Sequence, residues 1–267
     1  MQLEFGFLLG PPDGRYLVRP SADALIESVL VLSTLGAPER RRLGGRRPRA
    51  VESAEPEPVP TARATVVRSA PFASPEEAAA WLSSADHDDE TATAVAVLNR
   101  ALHAHRIATA DPYVPEVTAD RALVVRVGYG SGEDLADGRY GEALELPRDG
   151  RRRARRSMEA PEERFAMLLS GREEALPAEE LVLRARADLD AGRHAEAALQ
   201  ARVAIEALLA ALDARGAAHR ESIATHREPV GAAANAALRG GAAEHKATLE
   251  EAVAAMEQAL KRRRLGG

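Results

Sequence analysis

The sequence predicts an α+β N-terminal domain, a small mostly antiparallel sheet with two helices, followed by an all-α helical bundle. Three observations carry this reading. Short β-branched runs punctuated by Gly and Pro dominate the first half. From Pro161 onward apolar residues recur every three or four positions instead. Between the halves, Pro147 to Pro161 is rich in Arg and poor in large apolar side chains. The expected division is residues 1–146 as the α+β domain with a disordered insertion at 37–60, 147–160 as a basic linker, and 161–264 as the helical bundle.

Residues 2 to 19 read as a β-hairpin: LEFGFLL and RYLVR flank Gly10-Pro11-Pro12-Asp13-Gly14, a dense set of turn formers. Ser28 to Ser33, SVLVLS, predicts a further strand. The insertion that follows carries Pro38, Pro48, Pro56, Pro58 and Pro60 with an Arg run and then an acidic run, a composition that cannot build a core. ATVVR resumes the sheet. Ser74-Pro75-Glu76-Glu77 then marks a helix start, with Ser at the N-cap, Pro in the first turn and Glu at the capping-box position; this helix should carry Trp81 and Leu82 into the core.

A second helix is expected from about Glu90 to Arg106, with Val95, Leu98 and Leu102 inward, ended by Asp111-Pro112-Tyr113-Val114-Pro115. Ala122 to Val127 predicts a strand leading into Gly128-Tyr129-Gly130-Ser131-Gly132. In the second half PEERFAMLL precedes a helical hairpin broken at Gly192. Leu181, Ala185 and Leu189 share one face of its first helix, and Ala197, Ala201, Ile205, Leu208 and Leu212 line the second. Two more helices are expected, about Glu221 to Leu238 and Ala243 to Arg263, the last with Leu249, Val253, Met256 and Leu260 as its buried stripe.

Composition narrows function more than it identifies it. With no Cys, a thiolate nucleophile, a disulfide framework and any Cys-containing zinc site are excluded, which agrees with an expected cytoplasmic location. No run of 18 apolar residues occurs, so no membrane role is expected. Net charge is −5, yet Lys246 and Lys261 are the only lysines, and Arg gathers in runs at Arg40 to Arg49 and Arg148 to Arg156, with Lys261 to Arg264 as a third basic run. Such runs could bind nucleic acid weakly and without sequence preference. The acidic net charge and few aromatics favour solvated linkers instead.

Candidate sites are sparse. Gly128, Gly130 and Gly132 after a strand are weak candidates for an anion loop, because glycines let backbone amides approach a phosphate. A dinucleotide fingerprint needs a third Gly where Glu133 stands. His103 and His105 fall on nearly opposite sides of a helix, and His219 and His226 are seven apart, so no metal site and no cofactor are expected. Glu206 interrupts an apolar run, with Arg202 one turn earlier as the expected partner.

The hairpin from Ala178 to Ala211, with Gly192 at its turn and Ala197 and Ala204 at small packing positions, resembles one tetratricopeptide unit, which implies a protein-binding role. About Glu179 to Arg264 also resembles HEPN four-helix domains, through the Gly192-Arg193 turn and the spacing of Arg220 and His226. That resemblance implies RNA binding, or a ribonuclease in which His226 is the base and Arg220 holds phosphate at a dimer-shared site; Glu221 beside Arg220 would oppose RNA. Catalytic residues are therefore expected to be none, with Arg220 and His226 as the alternative. The expected function is that of a non-enzymatic interaction or assembly protein, self-associating or binding a protein partner through its C-terminal helices.

Overall fold

A computed structural model describes residues 1–19, 23–36, 59–147, 161–212 and 217–265. Residues 37–58 of the insertion expected at 37–60, residues 148–160 of the linker expected at 147–160, and the first two Arg runs lie outside the described residues. The chain divides into two compact units, residues 1–155 and 156–267.

The first unit is one six-stranded antiparallel sheet with helices packed against it. Its strands are β1 (Gln2–Phe5), β2 (Gly14–Val18), β3 (Ser28–Leu35), β4 (Thr61–Arg68), β5 (Val124–Tyr129) and β6 (Glu142–Glu145), in the order β2-β3-β4-β1-β5-β6. The helices are α1 (Pro75–Ser84), α2 (His87–Thr109) and the short α3 (Gly132–Ala136). The expected hairpin between residues 2 and 19 does not form: β2 pairs with β3, whereas β1 lies between β4 and β5. Burial explains the difference. Gln2, Leu3 and Phe5 are fully buried, so β1 needs a neighbour on each side, while the largely exposed β2 suits an edge.

Leu3, Phe5, Leu30, Leu32, Ala64 and Val66 present alternate side chains to Ala94, Val97, Leu98 and Leu102 of α2, and this contact is the core. Asn99 clamps the segment beyond α2 by donating to the Val117 carbonyl and accepting from its N–H at 2.9 and 2.8 Å. At the start of α1, Ser74 accepts the Glu77 N–H and the Glu77 carboxylate accepts the Ala73 N–H, reciprocal bonds that satisfy orphan donors.

The second unit is helical: α4 (Pro161–Leu169), α5 (Pro177–Asp190), α6 (His194–Ala211), α7 (Ala217–Ala224), α8 (Arg227–Ala237) and α9 (Lys246–Leu265). One long helix was expected over 221–238; the chain instead turns at Thr225 and His226, separating α7 from α8. Gly192 adopts φ +71°, a left-handed turn that Gly tolerates without Cβ strain, and so reverses the chain between α5 and α6. Ala185, Ala197, Ala198, Ala201 and Ala204 are completely buried, and α6 packs against α5, α8 and α9. Small side chains let these backbones approach closely. Two guanidinium forks tie the bundle's surface: Arg186 to Glu257 at 2.8 and 2.9 Å, and Arg227 to Glu206 at 2.7 and 2.9 Å. Glu206 is exposed and pairs with Arg227, not with Arg202, which donates to Asn235. The Arg227 fork forms where α8 packs against α6.

Candidate functional site

A cleft of about 950 Å3 opens in the first unit where β1 begins. Its geometry follows from strand lengths. Met1 exchanges two main-chain bonds with Val66, its N–H donating at 3.0 Å and its carbonyl accepting at 2.8 Å, and β1 is entered there. On one side β4 continues to Arg68, and on the other β5 continues to Tyr129. The two flanking strands thus run past the line of β1 and border the opening.

Aromatic side chains wall the cleft. Phe72 follows Pro71 in the connector after β4, and its ring lies 5.3 Å from that of Trp81, tilted at 44°. Trp81, expected in the core, is half-buried at the cleft wall, and Leu82 is the α1 residue that fills the core. Tyr129 and Leu135 contribute from the β5 side. The polar groups are concentrated on β4 and α2: Arg68 donates to both carboxylate oxygens of Glu90 at 2.7 Å. Burial pushes the Met1 α-amino group down to about 6, with Glu90 opposing the shift and Arg68 adding to it.

Of the anion-loop candidates, Gly128, Gly130 and Gly132 all line this cleft. Packing accounts for two of the three glycines. A Cβ on Gly128 would lie 2.5 Å from the Glu142 carbonyl and 2.7 Å from Tyr140 Cδ1, and one on Gly130 would lie 3.0 Å from the Gly141 nitrogen. These positions let the chain fold back closely as β6, a strand with no clear pattern in the sequence. Nothing lies within 4 Å of a Cβ built on Gly132. Beyond it, carboxylates dominate: Glu133 pairs with Arg15 at 2.9 Å, and Asp134 is held below the usual carboxylate range by the Ser131 hydroxyl and by Arg139. Burial, chiefly, pushes the Tyr140 phenol up to about 12, and its hydroxyl has no hydrogen-bond partner among the described residues.

Arg220 and His226 are in the second unit. Arg220, on α7, donates to the Leu209 and Leu212 carbonyls, closing the end of α6 where helix carbonyls lack intrahelical partners. His226 precedes the first residue of α8. No hydrogen bond joins the two side chains among the described residues. The other histidines stand apart: His87 Nε2 lies 2.9 Å from the Leu82 carbonyl, and His103 Nδ1 lies 2.8 Å from an Arg106 nitrogen. No group of three His, Asp or Glu placed to hold a metal ion occurs among the described residues. Nor is any helix among them long and apolar enough to cross a membrane.

The cleft is not legible in the sequence, because its walls come from stretches of chain spread from Met1 to Gly141. Two signals were available. The chain has a single tryptophan, nearly two turns into a well-capped helix, and Phe72 precedes that cap by two residues. No protein-family model, no curated protein and no solved structure matches this chain.

Proposed function

We propose that the protein is a non-enzymatic, cytoplasmic binding and assembly protein, whose α+β unit takes a ligand in the cleft at the head of β1 and whose helical unit contacts a protein partner. The observation that carries this reading is the cleft itself: an open concavity with Phe72, Trp81 and Tyr129 on its walls and an Arg68–Glu90 pair at its edge. Apolar walls with a few fixed polar groups are the usual composition of ligand sites. Exposed Leu183, Leu199 and Val203 on α5 and α6 support the partner role of the bundle. Arg220, engaged with helix-end carbonyls, has a structural task that leaves the ribonuclease alternative without a supporting contact.

Trp81 makes the test direct, since any fluorescence from the chain's one tryptophan reports on this cleft. Titration with the apolar dye anilinonaphthalene sulfonate should give saturable energy transfer from Trp81, and Thr93→Phe, which fills the cleft from α2, should abolish it. Absence of transfer in the wild type would remove the cleft reading. In parallel, a labelled single-stranded RNA should survive incubation intact; cleavage that disappears in His226→Ala would transfer the assignment to the ribonuclease alternative.

A further inference from the structure

We infer that the cleft recognises an extended peptide, which adds as a strand between β4 and β5 and continues the line of β1. The inference rests on the cleft being a binding site and names the chemistry of its occupant. Register supplies the argument. Antiparallel strands turn the N–H and C=O of alternate residues to the same neighbour. Val66 exchanges bonds with Met1, so Arg68, two residues on, turns its main-chain groups toward the same side, beyond Met1. Ser69 confirms the alternation, because its N–H faces the other way and donates to Glu27 at 3.2 Å.

On β5 the phase is equally fixed. The Val125 carbonyl accepts from Leu146 and the Tyr129 carbonyl from Gly141, so these odd-numbered residues face β6. Gly128 therefore faces the line of β1, level with Val67 and one position short of Arg68, since Gln2 pairs with both Thr65 and Arg126. Two strands that both flank β1 are roughly 9.5 Å apart, twice the ordinary interstrand spacing, which is the room one strand takes. Donors and acceptors on both borders at that separation match a peptide backbone.

Side-chain alternation then sets the peptide's pattern. Met1 packs against the same core as Leu3 and Phe5, on the helical face. The peptide residue next to Met1 falls on the opposite face, and the one before it on the helical face, toward Phe72, Trp81 and Tyr129. The favoured peptide is apolar at every second position.

The test uses the full chain and hydrogen exchange of the Arg68 and Gly128 amides, which no apolar ligand would protect. Fusing Thr-Val-Thr-Val-Thr directly ahead of Met1 places Val on the helical face, at the millimolar effective concentration of a tethered segment. Exchange of both amides should slow at least about tenfold relative to a Gly-Ser extension of equal length. The reversed phase, Val-Thr-Val-Thr-Val, should protect less. The free acetylated, amidated Thr-Val-Thr-Val-Thr peptide, added to the unextended chain at millimolar concentration, should protect the same two amides and shift Trp81 emission. Failure of either the fused or the free peptide to protect them overturns strand addition. Dye transfer from Trp81 separates the two levels: with transfer present, only the peptide assignment falls, and with transfer absent, the cleft reading falls with it.

Discussion

A single nitrogen of Arg68 bonds both carboxylate oxygens of Glu90, 2.7 Å each, and so fastens the end of β4 to the first turn of α2. The partners differ in environment: the Arg68 side chain is 54% exposed and that of Glu90 11%. Loss of the arginine strands a nearly buried carboxylate, whereas loss of the carboxylate lets the guanidinium return to water.

The stability cost should therefore be unequal. Arg68→Ala is expected to lower unfolding free energy by about 1–3 kcal/mol, and Glu90→Gln by clearly less. Urea unfolding of both variants and of the double variant measures the asymmetry, and the double variant should cost less than the two single costs added. Equal single costs would show that Glu90 is hydrated in the folded chain.

Glu90 also shows where sequence legibility ends. Its place in Asp88-Asp89-Glu90 marks an acidic helix start, and Asp86 does cap α2 by accepting the Asp88 and Asp89 N–H groups. That Glu90 alone turns inward depends on Arg68, which is 22 residues earlier and on another element. The helical hairpin was readable because Gly192 and its alanines act within one short segment. The position of β1 was not, since turn-forming residues at 10–14 encode a reversal but not which strands flank it. The cleft, built from β4, β5, α1, α2 and the connector at Phe72, inherits that non-locality.

Tyr140 supplies a prediction with two readouts. Its buried hydroxyl has no hydrogen-bond partner among the described residues, so Tyr140→Phe removes an unpaired polar atom while keeping the ring against Gly128. The melting temperature should stay level or rise. The phenol's folded pKa of about 12 exceeds its ordinary 10.0, so the unfolded chain loses this proton first. Wild-type stability should then be unaffected by this group below pH 10.0 and fall as pH rises toward 12, a component missing in Tyr140→Phe. Parallel pH profiles for the two proteins would contradict the burial of the phenol.

In the helical unit the close approach of α5 and α6 depends on residues with no side chain beyond Cβ. Ala204 is completely exposed to packing and not to solvent, at 0% accessibility, whereas Ala210 on the same helix is exposed. Ala204→Arg should cost at least the roughly 1–3 kcal/mol of overpacking, with a buried charge added. Ala210→Arg should be nearly silent. Thermal unfolding that shifts equally in both would contradict the packing assigned to α6.

The glycines after β5 separate a packing role from an anion-binding one. Gly128 has no room for a methyl group, because the Glu142 carbonyl and the Tyr140 ring would both lie inside contact distance of it. Gly128→Ala should therefore destabilise the first unit by about 1–3 kcal/mol through displacement of β6. Gly132 begins α3 with open space around it, so Gly132→Ala should be neutral or stabilise by up to about 1 kcal/mol, as expected where Ala replaces Gly in helical backbone. Chemical denaturation gives both values, and inorganic phosphate added to the wild type gives the discriminating control. If the glycines serve packing alone, phosphate at tens of millimolar should move the amide resonances of Gly128, Gly130 and Gly132 no more than sodium chloride does at matched ionic strength. A saturable shift confined to those three amides would restore the anion loop, despite the carboxylates of Glu133 and Asp134 beside it.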